Sequence, residues 1–579
     1  MLKNKKYIYM LGAFAVVFFA YFQVTNLGFV WDDRYYLIDP WYLRDGAWYR
    51  IWHEPFFISK NYYRPFVLSS FLVGFFFHGS VAAYYHVENL LIHCINVILL
   101  IIFSSIVFKN IEKRWGLSFL VGVVYGVHPV LLESVAWISG RFDLLVTFFG
   151  LSVLLADRVL RGWRKCVAVF FLFLCGALSK EMMVVVALLL PISHIFLKNE
   201  TSWVKTVFLR ENMYSYASIF FSGVFYLVVR YKALGYLYVS DFSMKIGTGY
   251  EHVLLIAKSI FWYVRLAFYP FLYVSPQHYS STPILSSDVD GWIGILLIAF
   301  YLVFLAVVRK NRVAIGLGLA VIVSFLPIIN IIPLTIGENI VHDRFLQFPL
   351  CFLVMIVCYG IWGLALASNG MVKKITLPLV AAVWFPLSVM NIEVTLPSWG
   401  NNVSLWKWAL QRNENSAAVY GSLSQAYQDV KSYELALIYA QRAVELRSDW
   451  WSTWNTAGLV YGDLGEYNKS IIYLKIAEGL SPNNKGVLNN MGYELLRSGN
   501  NAEAKEVLLH SLSTVVRGHY DVAPENYRSC IYLTVVSYRM GNLGESKKYF
   551  LQALSYSEGK RKEKMLADLR QKFGVNLNL

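Results

Sequence analysis

Residues 84–108 read YYHVENLLIHCINVILLIIFSSIVF, a run of 25 residues whose only Asp, Glu, Lys or Arg is Glu88. About 20 apolar helical residues cross the hydrocarbon core of a bilayer, so this stretch is long enough to span. Runs of similar character flank it at roughly 7–25, 117–138, 142–159, 163–179, 181–198, 213–231, 290–308, 312–332, 345–366 and 375–392. Past residue 392 the apolar runs stop and amphipathic helical sequence takes over. The fold class is therefore all-α in two parts. A polytopic membrane helix bundle of about eleven spans is expected over 1–395, and a helical solenoid over 398–579.

Composition agrees with this division. Of 579 residues, 57% are hydrophobic and 15% charged, where a soluble chain carries about a quarter charged. The net charge of +15 is not a nucleic-acid signature, because most of the excess sits in short loops between spans, where Lys and Arg set topology. No nucleic-acid partner is expected. The six cysteines show neither zinc-site nor disulfide spacing. The N-terminus resembles a signal peptide but reads better as an uncleaved signal-anchor. Its apolar run continues to Tyr21-Phe22 without a small-x-small cleavage site.

Alternate loops collect the basic residues: Lys3, Lys5 and Lys6; Lys109, Lys113 and Arg114; Arg158, Arg161, Arg164 and Lys165; Lys198, Lys205 and Arg210; Arg309, Lys310 and Arg312; Lys373 and Lys374. The positive-inside rule puts all of them on the cytoplasmic side. Residues 252–273 are apolar enough to span. A crossing there would move Arg309–Arg312 outside and leave Lys258 and Arg265 in lipid. This stretch is therefore expected to be an interfacial or re-entrant helix, and 65–79 an amphipathic helix on the outer face. The N-terminus then lies inside and the C-terminus outside.

From about Ser398 the chain repeats with a period of 34. Tyr420 and Trp454, Tyr427 and Tyr461, Ala443 and Ala477, Gly458 and Gly492, and Gly465 and Gly499 all keep it. Ala436, Ser470 and Ala504 mark another small position, and Pro482 closes the second unit. This is the tetratricopeptide signature of two packed helices per repeat. A fourth unit is expected after an insertion around 512–526, with Gly541, Phe550 and Ala553 in register. The groove of such an array is a protein-binding surface.

The outer side gathers polar residues that are costly near lipid. Asp32 and Asp33 follow the first span, and Arg64 sits in Tyr62–Pro65. His128 and Glu133 lead to Arg141 and Asp143; Lys180-Glu181 interrupts two apolar runs; His342-Asp343-Arg344 opens another. Each has a bland reading as an interfacial anchor or an ion pair, Lys180 with Glu181 above all. Together they suit a lipid-phosphate-linked sugar. Arg344 and Arg141, then Lys180 and Arg64, are the candidate phosphate ligands, arginine because its fork grips phosphate in two places. Asp32 or Asp33 is the candidate catalytic base for an attacking hydroxyl. Of neighbouring carboxylates one often faces backbone or an arginine such as Arg34, and Asp32 is slightly favoured as the base. His128, Glu133, Asp143, Glu181 and Asp343 complete the candidate set. No Asp-x-Asp argues for a divalent cation, and no metal or cofactor is expected beyond the lipid-phosphate sugar itself.

The stretches GFVWDDRYYL (28–37), YYRPF (62–66), FHGSVAAYYHVENLLIHCINVILL (77–100), YGVHPVLLESVAWISGRFDLL (125–145), ALSKE (177–181) and HDRFLQFP (342–349) resemble the transmembrane-and-tetratricopeptide O-mannosyltransferases, the TMTC family. The resemblance runs from about residue 22 into the repeats. It implies a GT-C membrane glycosyltransferase that moves a sugar, mannose or another hexose, from a polyprenyl-phosphate carrier to Ser or Thr hydroxyls of a protein recruited by the repeats, outside the cytosol. It also matches the family's acidic residue after the first span to Asp32-Asp33. Where many members have Glu-Arg before a late span, this chain has Asp343-Arg344. The short array and compact loops suggest a bacterial inner-membrane protein with an undecaprenyl carrier and a periplasmic C-terminal domain. The competing readings are a non-catalytic scaffold displaying its repeats, and a GT-C enzyme acting on a glycan or lipid.

Overall fold

The computed structural model describes residues 2–38, 48–53, 62–197, 206–237, 249–278, 287–332, 339–367, 371–514, 523–556 and 562–577, and helices are the regular elements among them. These fall into two units. One holds most of the described residues up to Leu405, the other those from Trp406 onward together with 48–53 and 233–236.

The first unit contains α1 (Leu2–Ala20), α2 (Pro65–His78), α3 (Ala82–Val107), α4 (Arg114–Gly126), α5 (Arg141–Val159), α6 (Gly162–Ala177), α7 (Val185–Leu197), α8 (Arg210–Leu234), α9 (Tyr250–Phe268), α10 (Val289–Val308), α11 (Arg312–Phe325), α12 (Pro349–Ala367) and α13 (Met371–Thr395). Small residues set the closest approaches. A Cβ on Gly294 of α10 would lie 1.9 Å from the Ala257 carbonyl of α9, and one on Gly126 of α4 would lie 2.4 Å from Val17 of α1.

The count of eleven spans is not confirmed by the helices. Among the described residues four are long and apolar enough to cross a bilayer: 82–107, 138–159, 210–234 and 289–308. At the expected spans 7–25, 181–198, 312–332 and 345–366 the apolar helical stretches are Lys6–Ala20, Glu181–Phe196, Arg312–Phe325 and Pro349–Leu364, of 10–17 residues. The reason is local. Apolar sequence continues into segments that are not α-helix, such as the 3-10 turn Phe22–Asn26 and the turns after Phe325, and hydropathy counts those residues too.

The run at 117–138 is a bent pair, α4 and 129–136, with 53° between them. Pro129 has no N–H to continue the ladder. His128 holds the corner: its Nδ1 accepts the Val130 N–H at 3.3 Å and its Nε2–H donates to the Ala267 carbonyl at 2.9 Å. The helix expected to be amphipathic at 65–79 is instead apolar all round, PFVLSSFLVGFFFH, with Phe71 buried and Phe76 and Phe77 exposed. Residues 252–273 form α9 and a 3-10 turn at Pro270–Leu272. Lys258, whose charge argued against a crossing there, is buried and paired with Asp288 at the N-terminal edge of α10.

The second unit is a run of helix pairs: α14 (Asn402–Arg412), α15 (Ala417–Asp429) with α16 (Tyr433–Leu446), α17 (Trp451–Asp463) with α18 (Tyr467–Leu480), α19 (Lys485–Arg497) with α20 (Asn501–Ser513), α21 (Ala523–Arg539) with α22 (Leu543–Tyr556), and α23 (Lys562–Phe573). Each pair turns through one left-handed residue: Lys431, Gly465, Gly499 and Gly541. Each turn is closed by the same backbone bond, Ser432 N–H to Tyr427, Glu466 to Tyr461, Asn500 to Leu495 and Asn542 to Ser537. The first three turn residues are 34 apart and the last is 42 from Gly499, so the insertion adds eight. Ala436, Ser470, Ala504 and Ala553 are fully buried, and Tyr427 stacks on Tyr439 at 5.4 Å.

Candidate functional site

Asp32 and Asp33 differ in surroundings. Asp33 is fully buried. Its Oδ1 accepts the Ser139 N–H at 3.0 Å and the Ser139 hydroxyl at 2.7 Å, and its Oδ2 accepts the Val30 N–H at 3.2 Å. It therefore ties the loop after α1 to the turn before α5. Asp32 stays partly exposed. The turn that separates them puts Trp31 in left-handed backbone, φ 52°, held by its N–H on Asn402 Oδ1 at 2.7 Å. Burial pushes both carboxyls up, Asp32 to about 6 against the pull of the Arg344 cation, and Asp33 to about 7 against its hydrogen bonds.

Arg344 is the hub. It lies in the 3-10 turn Asp343–Leu346 ahead of α12. Its guanidinium pairs with Glu133 Oε1, and its backbone N–H donates to Glu133 Oε2 at 2.9 Å. The guanidinium carbon lies 5.0 Å from the Trp137 ring centre, 5.7 Å from Trp31 and 5.1 Å from Phe345. The Trp31 and Trp137 rings are stacked at 4.9 Å. Lys180 sits 4.2 Å from the Phe345 ring centre and pairs with Asp143 Oδ1. Burial, reinforced by Arg64 and Arg344, lowers Lys180 to about 8 despite Asp143. Asp343 points elsewhere, taking the Ser275 N–H at 2.9 Å and pairing with His278 at 2.7 Å.

Several expectations are corrected by this geometry. Lys180 and Glu181 do not pair with each other. The 3-10 turn starting at Glu181 sends them apart, Lys180 to Asp143, and Glu181 to Arg64 at 3.0 Å and Arg230 at 3.1 Å. Arg141 lies with other partners: Nε donates to Asn89 at 2.8 Å, Nη2 to Glu88 at 2.7 Å and to the Tyr85 carbonyl at 3.2 Å, and Nη1 to Ser70 at 3.4 Å. Those bonds make it a strut between α2, α3 and α5. His128 is the corner pin described above and takes no part in the Arg344 cluster. Asp32, Glu133, Asp143, Lys180 and Arg344 come together, with Arg64 and Glu181 adjoining them.

The sequence reading did not find Asn339, Gln277, His278, Arg230 or Glu88. None lies in a recognisable spacing, and each is recruited by tertiary contact. A second buried cluster was also unseen. Asp157 takes Lys165 at 3.2 Å, His194 at 2.8 Å and the Ser215 hydroxyl at 2.6 Å, joining α5, α6, α7 and α8.

Fold and site together define a helical membrane-type protein with a charged cluster among apolar helices and a tetratricopeptide array. The tetratricopeptide repeat family model matches residues 417–449 and 452–484. Among curated proteins, the chain is 20% identical over 81% of its length to mouse (Mus musculus) Protein O-mannosyl-transferase TMTC3, covering 54% of that protein. It is 30% identical over 26% of its length to human (Homo sapiens) Protein O-mannosyl-transferase TMTC1, covering 20% of it. A solved structure, the crystal structure of MamA, is similar over 28% of this chain and 89% of its own, at 20% identity and a TM-score of 0.24. The chain is thus related to the TMTC proteins, and its matches span from a fifth to about half of these relatives' length.

Proposed function

We propose that the chain is a membrane glycosyltransferase of the GT-C class. It would transfer a hexose from a polyprenyl-phosphate carrier to a hydroxyl of a protein held by the repeats. The curated relatives are named protein O-mannosyl-transferases. The observation that carries the reading for this chain is the partly exposed Asp32 beside the buried Arg344–Glu133 pair, with Lys180–Asp143 next to Arg344.

In this reading the attacking hydroxyl gives its proton to Asp32, and the oxygen displaces the phosphate from the anomeric carbon with inversion. Arg344 and Lys180 stabilise the charge that grows on the leaving phosphate, in a dry setting where fixed cations act strongly. Glu133 and Asp143 hold the two cations in place before substrate arrives. The test is transfer by purified full chain from radiolabelled polyprenyl-phosphate sugars to an acceptor protein. Label reaching protein in the wild type and lost in Asp32→Asn supports the reading. No transfer from any such carrier favours the scaffold.

A further inference from the structure

His342 is 1% exposed and stands between donors. The Arg344 guanidinium N–H points at its Nδ1 from 3.3 Å and the Asn339 amide NH2 from 3.5 Å. The Asn339 amide is oriented by the His278 N–H, which donates to its Oδ1 at 2.6 Å. Nδ1 must therefore be the bare, accepting nitrogen, and the proton must sit on Nε2. Burial, reinforced by the Arg344 and Lys180 cations, holds the ring neutral. The result is a buried N–H donor at Nε2 with no acceptor among the described residues.

Two more buried atoms, one beside Arg344 and one beside Lys180, share this condition. The Trp137 indole N–H, on a side chain 3% exposed, has no acceptor, and Asp143 Oδ2, on a residue 3% exposed, has no donor. Trp137 lies under the Arg344 guanidinium, and Asp143 is joined through its other oxygen to Lys180. Buried polar groups are nearly always satisfied, so three orphans around the neighbouring cations Arg344 and Lys180 point to a ligand that fills them. Two N–H donors, one carboxylate acceptor and an aromatic ring pair describe a polyol, whose hydroxyls accept and donate at once and whose C–H face lies on a ring.

We propose that the His342 Nε2–H, the Trp137 N–H and Asp143 Oδ2, with the Trp31–Trp137 ring pair, form the subsite that recognises the hydroxyls of the hexose on the lipid carrier. This rests on the transferase reading and adds to it the residues that choose the sugar. His342 and Trp137 would be specificity residues, set apart from the base at Asp32.

The experiment compares kcat/KM for the polyprenyl-phosphate hexose and its monodeoxy analogues, using purified full chain. Wild type should reject at least one analogue by on the order of tenfold or more, because a missing hydroxyl leaves buried groups unpaired. In His342→Phe the rejection of one analogue should fall to about onefold, His342→Gln should restore part of it, and the acceptor KM should not move. Trp137→Phe, which keeps a ring against Trp31, should relax a different position. Variants that slow every carrier by one factor with ratios intact, or that raise only the acceptor KM, overturn the subsite and leave the transferase standing. A wild type that uses no lipid-phosphate sugar removes both.

Discussion

At the scale of single residues, adjacent aspartates have been given different work by one left-handed turn. Asp33 accepts three hydrogen bonds and is closed off, whereas Asp32 keeps access to solvent beside a cation. Asp32→Asn is expected to leave the melting temperature unchanged and to lower transfer on the order of a hundred- to ten-thousand-fold. Asp33→Asn presents an amide N–H to a donor and should cost about 1–3 kcal/mol, read as a lower melting temperature. Normal transfer by Asp32→Asn would discard the base assignment.

The pH profile follows from the same two groups. A base must be ionised, so activity should rise through about pH 6 with Asp32. A phosphate-facing ammonium must be protonated, so activity should fall through about pH 8 with Lys180. The predicted bell should lose its alkaline limb in Lys180→Arg; a limb that persists there belongs to another group. Arg344→Lys keeps the charge but loses the planar guanidinium that reaches Glu133 Oε1 and lies against Trp137. It should raise the KM for the lipid-phosphate sugar while the acceptor KM stays put, and an unchanged KM would take Arg344 out of the phosphate site.

The polar members of this cluster were legible because charges stand out in apolar sequence. Their pairing was not. Lys180 and Glu181 are neighbours in the chain, yet each finds its partner 37 or more residues away. Arg141 and Arg344 look alike as letters, and only the fold shows that one is fully engaged as a strut.

At the scale of elements, the repeats were the easier part, because a period is a property of sequence. The turn residues Gly465 and Gly499 were visible at their spacing, and the structure adds the backbone reason, a positive φ at each. Lys431 occupies the same place with φ 60°, where a side chain costs about 1 kcal/mol or more. Lys431→Gly is therefore expected to raise the stability of the array by up to about 1 kcal/mol, measured by urea unfolding; a loss would mean its side chain makes a contact of greater value. The membrane-type helices were harder, since hydropathy runs on through bends such as Gly126–Pro129.

The Asp157 cluster was out of reach for another reason: its members come from four helices, each supplying one side chain, and no spacing in the sequence links them. Removing one partner of a buried charge set strands the others, typically at 3–5 kcal/mol. Asp157→Asn should accordingly lower the melting temperature of detergent-solubilised protein strongly. The conservative Ser215→Ala should lower it only slightly. Equal effects would show that the hydroxyl, not the charge pairing, holds the helices.

At the scale of the whole molecule, the first unit carries two polar layers. The Arg344 and Asp143 cluster lies at the start of α5 and just ahead of α12, and the Asp157 cluster with Arg158 lies at the far end of α5. At 1.5 Å per residue the 14 residue steps from Asp143 to Asp157 separate the layers by about 21 Å along α5, within a hydrocarbon core about 30 Å thick. The inner layer shares its end of the unit with the exposed loop Arg309–Arg312, whose Arg312 donates to the Ile195 carbonyl of α7, the helix that supplies His194. Basic loops stay cytoplasmic, so the layer holding Asp32 and Arg344 should face the opposite compartment. A compartment-sensitive reporter inserted at Asn311 is predicted to be active only inside, and one fused after Leu579 only outside. Reporters that swap sides, active outside at Asn311 and inside after Leu579, would mean that α9 crosses the membrane after all. The loop at 309–312 would then lie outside and the site layer inside, and Asp32 could not meet a sugar carrier whose reactive carbon is presented on the outer face.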